Sequence, residues 1–89
     1  MIKNKEVVND SLGPRGKNLA SRLRLLRKER HMTQEEVASA PALQRSTYAY
    51  YETGRTMPKL GNLIRMAEFF GVTTDFLIGK SDRRGGSED

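Results

Sequence analysis

The chain of 89 residues has no cysteine and no tryptophan, and its single histidine is His31. Without cysteine it can form neither a disulfide nor a thiolate metal site, and one histidine cannot build a metal cluster alone. No apolar run approaches the roughly 20 residues that a membrane-spanning helix requires. Residues 1–16 also lack the apolar centre of a secretory signal. These absences predict a cytoplasmic protein that needs no metal or other cofactor.

Aliphatic residues and positive charge are what the chain does have. Lysine and arginine together number 16, the net charge is +5 and the pI is about 9.9. This balance favours a polyanionic partner, either nucleic acid or an anionic membrane surface. The apolar residues are mostly aliphatic, which is typical of helices rather than of an aromatic-rich sheet. The length allows one domain with a small core.

Two segments have the three- and four-residue apolar spacing of amphipathic helices. Residues 17–30 should form the first helix, with a core-facing stripe at Leu19, Leu23 and Leu26. Because the core needs this stripe, the helix is not free to lie on a membrane, and no membrane partner is expected. The second stripe, also expected in the core, contains Leu60, Leu63, Ile64, Ala67 and Phe70.

Between these segments, residues 33–52 indicate two short helices joined by a tight break. Thr33 and Glu36 have the spacing of a capping box, in which each side chain bonds the backbone N–H of the other residue. Pro41 brings no N–H and should bias Ala40 away from helical angles, so it is expected to end the first of these helices.

The second short helix should run over residues 45–52. Three-residue spacing places Tyr48 and Tyr51 on one of its faces. The opposite face carries Arg45, Ser46, Ala49 and Tyr50. A short helix with a polar outer face, held by the helix before it, can lie in the major groove of DNA.

The run TQEEVA that starts at Thr33, with RST from Arg45 and the later Glu52 and Gly54, resembles the helix-turn-helix of the phage repressor and Cro family. This family is also called the xenobiotic-response-element family, and the resemblance continues through the last two helices to cover residues 19–79. It implies an all-α, compact five-helix, lambda-repressor-like DNA-binding domain. It also implies a transcriptional repressor, not an enzyme, that binds double-stranded DNA at an inverted-repeat operator.

The resemblance further implies roles for individual side chains. Arg45 is the strongest candidate for base reading, because its guanidinium can bond guanine O6 and N7 together. Arg27 matches an arginine that pairs with the glutamate ending the recognition helix, which here is Glu52. The expected base-reading residues are Gln44, Arg45, Ser46, Ala49 and Tyr50. The expected phosphate contacts are Gln34, Arg55 and Lys59.

Four positions differ from the family pattern, and one of them, Gln44, replaces a capping serine or threonine. Pro41 and Ala42 replace a buried aliphatic residue and a glycine in the turn, so we expect either a left-handed angle at Ala42 or a turn rebuilt around Pro41. His31 replaces the glycine that ends the first helix, and we expect a left-handed helix stop there rather than a proton-transfer group.

The last short helix, capped by Thr73 or Thr74, is expected to bury Leu77 and to expose Phe76, as family members often do at that position. An exposed aromatic ring at a domain end is a candidate contact for a homodimer.

The predicted domain spans residues 17–79, between a flexible arm at 1–16 and a disordered polar tail at 80–89. The arm has two functional alternatives, a basic contact with DNA or a strand paired in a dimer. No small-molecule effector domain is expected. The alternative function is a protein-interaction module with the same fold, such as an antitoxin or an anti-repressor partner.

Overall fold

The computed structural model describes residues 18–85, which form five α-helices with no strand among them. The first helix, α1, is described over residues 18–29, and the predicted arm at 1–16 lies outside the described residues. The other helices are α2 (Gln34–Ser39), α3 (Arg45–Thr53), α4 (Leu60–Phe70) and α5 (Thr74–Leu77). The predicted all-α, five-helix architecture is confirmed.

The core forms where one apolar face from each helix meets the others. Leu19, Leu23 and Leu26 from α1 are buried, as their spacing predicted. Removing apolar surface from water stabilises such a core by about 25 cal/mol per Å². The other helices contribute the buried residues Val37, Ala38, Tyr48, Tyr51, Met66, Ala67, Phe70, Phe76 and Leu77.

Helix α4 buries a narrower stripe than its sequence predicts. Met66, Ala67 and Phe70 are buried, but Leu60 is 69% exposed and Ile64 is 40% exposed. The prediction that these two residues belong to the core is therefore wrong. Both lie on the flank of the buried face, and apolar spacing indicates the direction of a stripe but not how much of its width neighbouring helices cover.

All five helices end in the same hydrogen-bonded turn. A residue with positive φ follows each helix, its N–H bonds the carbonyl three residues back, and the next N–H bonds the carbonyl five residues back. This is the Schellman motif, which satisfies carbonyls that have no partner inside the helix. The left-handed residues are His31 (φ 56°), Ala42 (61°), Gly54 (77°), Gly71 (69°) and Gly79 (82°).

The motif decides between the alternatives for the unusual turn. Ala42 takes the left-handed angle, and the left-handed stop at His31 is confirmed. Ala40, however, keeps right-handed helical angles, so the expectation that Pro41 biases it away from them is wrong. The N–H groups of Ala42 and Leu43 bond carbonyls of α2 at 3.1 and 2.8 Å, and these bonds hold the segment before Pro41 in a helical turn.

Ala42→Gly is expected to stabilise the fold by about 0.5–1 kcal/mol, because glycine adopts positive φ without a Cβ clash and this outweighs its greater freedom in the unfolded chain. Urea unfolding measures the change. Ala40→Gly is the matched control: it makes the same substitution at helical angles and should destabilise by about 0.5–1 kcal/mol. Equal losses in both variants would contradict the prediction.

Residues 80–85 return along α1. The guanidinium of Arg84 donates two hydrogen bonds of 2.8 Å to the carboxylate of Glu29. The N–H of Thr73 donates to the Arg84 carbonyl at 2.9 Å. The sequence predicted a disordered tail over 80–89. Residues 80–85 of it have these defined contacts, and residues 86–89 lie outside the described part of the chain.

The segment of residues 80–85 packs against α5, the last helix. Thr73 is its N-cap, with Oγ1 accepting from the Phe76 N–H at 3.0 Å. The Phe76 ring is only 5% exposed, and the guanidinium carbons of Arg22 and Arg84 lie 4.2 and 5.3 Å from its centroid. The expectation of an exposed Phe76 is therefore wrong, and its ring is not available as a dimer contact.

Candidate nucleic-acid interface

Helix α2 is fixed at its start by the predicted capping box. Thr33 Oγ1 accepts from the Glu36 N–H at 3.1 Å, and Glu36 Oε1 accepts from the Thr33 N–H at 2.8 Å. Val37 and Ala38 are buried against the rest of the core. Because both its start and its inner face are held, α2 presents a defined surface beside α3.

Helix α3 has the two faces that its sequence predicts. Tyr48 and Tyr51 are buried, whereas the opposite face is open to solvent. Gln44 is the N-cap residue, but its side chain makes no capping hydrogen bond, so its amide is free of that task. Of the expected base-reading residues, Gln44, Arg45, Ser46 and Tyr50 are exposed and Ala49 is half-buried.

Arg27 and Glu52 form a bidentate ion pair that joins α1 to the end of α3. Arg27 Nε lies 2.6 Å from Glu52 Oε2, and Nη2 lies 3.0 Å from Oε1. The Glu52 side chain is 2% exposed. Burial alone would raise the pKa of this carboxyl, but its hydrogen bonds, above all those from Arg27, and the nearby positive charge outweigh burial and hold its pKa below the ordinary value.

Gln34 is tied to the same carboxylate. Its Nε2 donates to Glu52 Oε1 at 3.1 Å. The sequence predicted Gln34 as a phosphate contact and did not indicate this second bond. An amide nitrogen carries two hydrogens, so one N–H of Gln34 is still available to a phosphate. The buried ion pair thus also orients a side chain on the outer surface of α2.

The arginines of α1 have structural partners that sequence reasoning missed. Arg22, Arg24 and Arg30, the last of which directly follows α1, donate to carbonyls near the C-termini of other helices, where the helix dipole places partial negative charge. Arg27 donates to a carbonyl in the turn between α1 and α2. Much of the positive charge of α1 is therefore used inside the fold. The acceptor carbonyls are those of Phe76 for Arg22, Glu52 for Arg24, Met32 for Arg27, and Phe69 and Phe70 for Arg30.

Arg55 and Lys59, the other expected phosphate contacts, are exposed in the segment between α3 and α4. The guanidinium carbon of Arg55 lies 5.0 Å from the centroid of the Tyr50 ring. Lys59 is the N-cap residue of α4, and its side chain makes no capping bond. The structure therefore places two cations just beyond the end of α3, without the carbonyl partners that hold the arginines of α1.

The lowered pKa of Glu52 makes stability depend on pH. An unfolded glutamate titrates near pH 4.3, so below that pH the unfolded chain takes up the proton first. The stability that charged Glu52 contributes is complete above about pH 4.3 and is lost as pH falls through the lower folded pKa. Urea unfolding between pH 7 and 3 should show a steeper loss for the wild type than for Glu52→Gln. Equal losses would contradict this assignment.

No helix in the described range, 18–85, is long and apolar enough to cross a membrane.

Comparison with known proteins identifies the architecture. Residues 23–77 match the family described as Helix-turn-helix. The transcriptional repressor RstR of the cryptic phage CTXphi in Vibrio cholerae is 40% identical over 63 residues, covering 71% of this chain and 57% of that protein. The regulator AnsR of Bacillus subtilis is 35% identical over 63 residues, covering 71% of this chain and 54% of its own length.

A solved structure shows the same fold. The crystal structure of a transcriptional regulator from Listeria innocua superposes with a TM-score of 0.64 at 36% identity, covering 68% of this chain and 57% of that one. The chain thus spans little more than half the length of these relatives. With the matched segment, the identities and the paired helices α2 and α3 in agreement, the chain belongs to the helix-turn-helix family of phage repressor and Cro type.

Proposed function

We propose that this protein binds double-stranded DNA sequence-specifically and represses transcription, with α3 lying in the major groove. The observation that carries this proposal is the outer face of α3, where polar side chains project from a helix whose other face is locked into the core. RstR, at 40% identity, is named as a transcriptional repressor. A groove for a protein partner would instead present apolar anchors on this face.

In this proposal, one set of residues reads bases and supplies specificity, and another set binds phosphates and supplies affinity. Arg45 would read a guanine through two hydrogen bonds, with Gln44, Ser46, Ala49 and Tyr50 contacting neighbouring bases. Gln34, Arg55 and Lys59 would bind phosphates, which fix the position of α3 without reading sequence. Two cations that each neutralise one phosphate predict a slope of roughly −2 per chain in a plot of log affinity against log salt.

The side chains that could take part in catalysis have structural roles in the described part of the chain, which supports a binding function. His31 serves as a helix stop and Glu52 is consumed by its ion pair, so nucleophile, base and orienting group do not converge among the described residues. We further propose a cytoplasmic, nucleoid-associated protein that reads inverted half-sites as a homodimer on DNA. Such half-sites would lie about 34 Å apart, one turn of the double helix.

Selection from a random duplex pool, followed by affinity measurement at two salt concentrations, tests the proposal. We expect an enriched inverted repeat and a linear loss of affinity with log salt. Binding without enrichment but with steep salt dependence would contradict sequence-specific recognition. It would favour the alternative, a protein-interaction module such as an antitoxin or an anti-repressor partner.

A further inference from the structure

The motif that ends α3 brings two predicted DNA contacts side by side. In a Schellman motif the residue after the left-handed position lies beside the residue five positions earlier, and an apolar contact commonly joins them. Apolar residues occupy both positions of the pair after α2, in Ala38 and Leu43, and after α4, in Ala67 and Val72. After α3 the pair is Tyr50 with Arg55, whose N–H donates to the Tyr50 carbonyl at 3.0 Å.

The side chains of this pair replace the usual apolar contact with a cation–π contact. The guanidinium carbon of Arg55 lies 5.0 Å from the Tyr50 ring centroid, within the roughly 6 Å range of such contacts. Tyr50 is 44% exposed as a whole residue, so the pair lies at the surface. The described part of the chain offers Arg55 no carboxylate partner, unlike Arg27 and Arg84, and its charge is uncompensated.

Building on the proposed DNA binding, we propose that Tyr50 is a positioning residue whose ring holds the Arg55 guanidinium for a phosphate at the end of the recognition helix. A free arginine side chain loses rotamer freedom when it binds, and a contact formed before binding removes part of that cost. The backbone bond from Arg55 to Tyr50 fixes the base of the side chain, and the ring fixes its tip. This role replaces the base contact of Tyr50 in the proposed function, because Tyr50 then contributes affinity through its ring and does not read a base through its hydroxyl.

A double-mutant cycle on a selected duplex tests this role. Tyr50→Ala and Arg55→Ala should each weaken binding by about 3–10-fold, on the scale of one cation–π contact. Arg55→Ala should reduce the magnitude of the salt slope by about 0.9, and Tyr50→Ala should move the slope in the same direction. Both variants abolish the same contact, the one between Tyr50 and Arg55. The double variant should therefore bind no more than about twofold more weakly than Arg55→Ala.

Tyr50→Phe keeps the ring and removes the hydroxyl, so it should restore the affinity and the salt slope that Tyr50→Ala loses. Arg84→Ala is the control for charge, since it removes one cation paired with Glu29 on α1, and it should leave the slope unchanged. The inference is overturned if Tyr50→Phe loses preference at one base pair. It is also overturned if the effects of Tyr50→Ala and Arg55→Ala multiply.

Nuclear magnetic resonance of the free protein separates this inference from the proposed function. The ring current of Tyr50 should shift the Arg55 side-chain protons upfield, and Tyr50→Ala should abolish that shift. An absent shift would overturn the positioning role even where the wild type binds DNA. A present shift in a wild type that binds no duplex would overturn the proposed function, and the DNA role of the pair with it.

Discussion

Replacing Arg27 with methionine is expected to lower the free energy of unfolding by about 3–5 kcal/mol, because it leaves the buried Glu52 carboxylate without its cation. Both oxygens of Glu52 accept from Arg27, and Gln34 alone cannot compensate the charge. Small domains have only about 5–15 kcal/mol of stability, so this loss would bring the fold close to its limit. Arg27→Lys, which keeps the charge but not the bidentate geometry, should lose less.

A double-mutant cycle with Glu52→Gln measures the coupling by urea and thermal unfolding. The chain offers a matched control in Arg84 and Glu29, which form a bidentate pair with the same kind of geometry but at the surface. Because water and salt screen that pair, its coupling should be a small fraction of the buried one. Similar couplings for the two pairs would show that burial of Glu52 does not set the energy.

Arg45→Ala is expected to remove discrimination at a single base pair of the operator. One bidentate contact with guanine contributes about 1–3 kcal/mol of preference over the wrong base, or roughly 5–150-fold in affinity. Duplexes changed at one position each, measured at constant salt, give the preference position by position. We expect the variant to equalise affinity at one base pair and to leave the others ranked as before.

Lys59→Ala is the companion variant for a phosphate contact. It should weaken all duplexes alike and reduce the magnitude of the salt slope by about one unit. If Arg45→Ala kept every base preference of the wild type, Arg45 would not be a base-reading residue, whatever its effect on overall affinity.

The elements that sequence predicted well are those that neighbouring residues specify. The capping box of Thr33 and Glu36 needs only residues three apart, and it formed as predicted. The apolar spacing of α1 predicted a buried stripe because side chains three and four apart share a helix face. The family pattern required a left-handed residue after α1, and His31 takes that angle although it is not glycine.

The failed predictions for Phe76, Leu60 and Ile64 depended on parts of the chain that are far apart in sequence. Phe76 is buried because Arg22 from α1 and Arg84 from the returning segment lie on its ring. Leu60 and Ile64 are exposed because none of the other helices within residues 18–85 covers that flank of α4. Burial of this kind depends on which helices and segments pack together in the fold, and apolar spacing within one helix does not predict that packing.

The candidate interface divides in the same way. The sequence placed Arg45, Ser46 and Tyr50 on one face of α3, since helical spacing alone determines a face. The contact between Tyr50 and Arg55 follows from the left-handed turn at Gly54, which brings residues five apart together. The bond from Gln34 to Glu52 has no local signal, because its partners meet only when α2 and α3 pack.

The sequence by itself determined the helices and the polar face of α3, because each depends on residues within one or two helical turns, and the order of these elements along the chain indicated the family. Only the tertiary structure determined which groups the arginine side chains of α1 contact. Arg22 and Arg24 of α1, and Arg30 just after it, donate to carbonyls at the C-terminal ends of three other helices, which carry partial negative charge and meet α1 only in the folded chain. Arg55 and Lys59, the proposed phosphate contacts near the end of α3, make no such bond to a helix carbonyl in the described part of the chain.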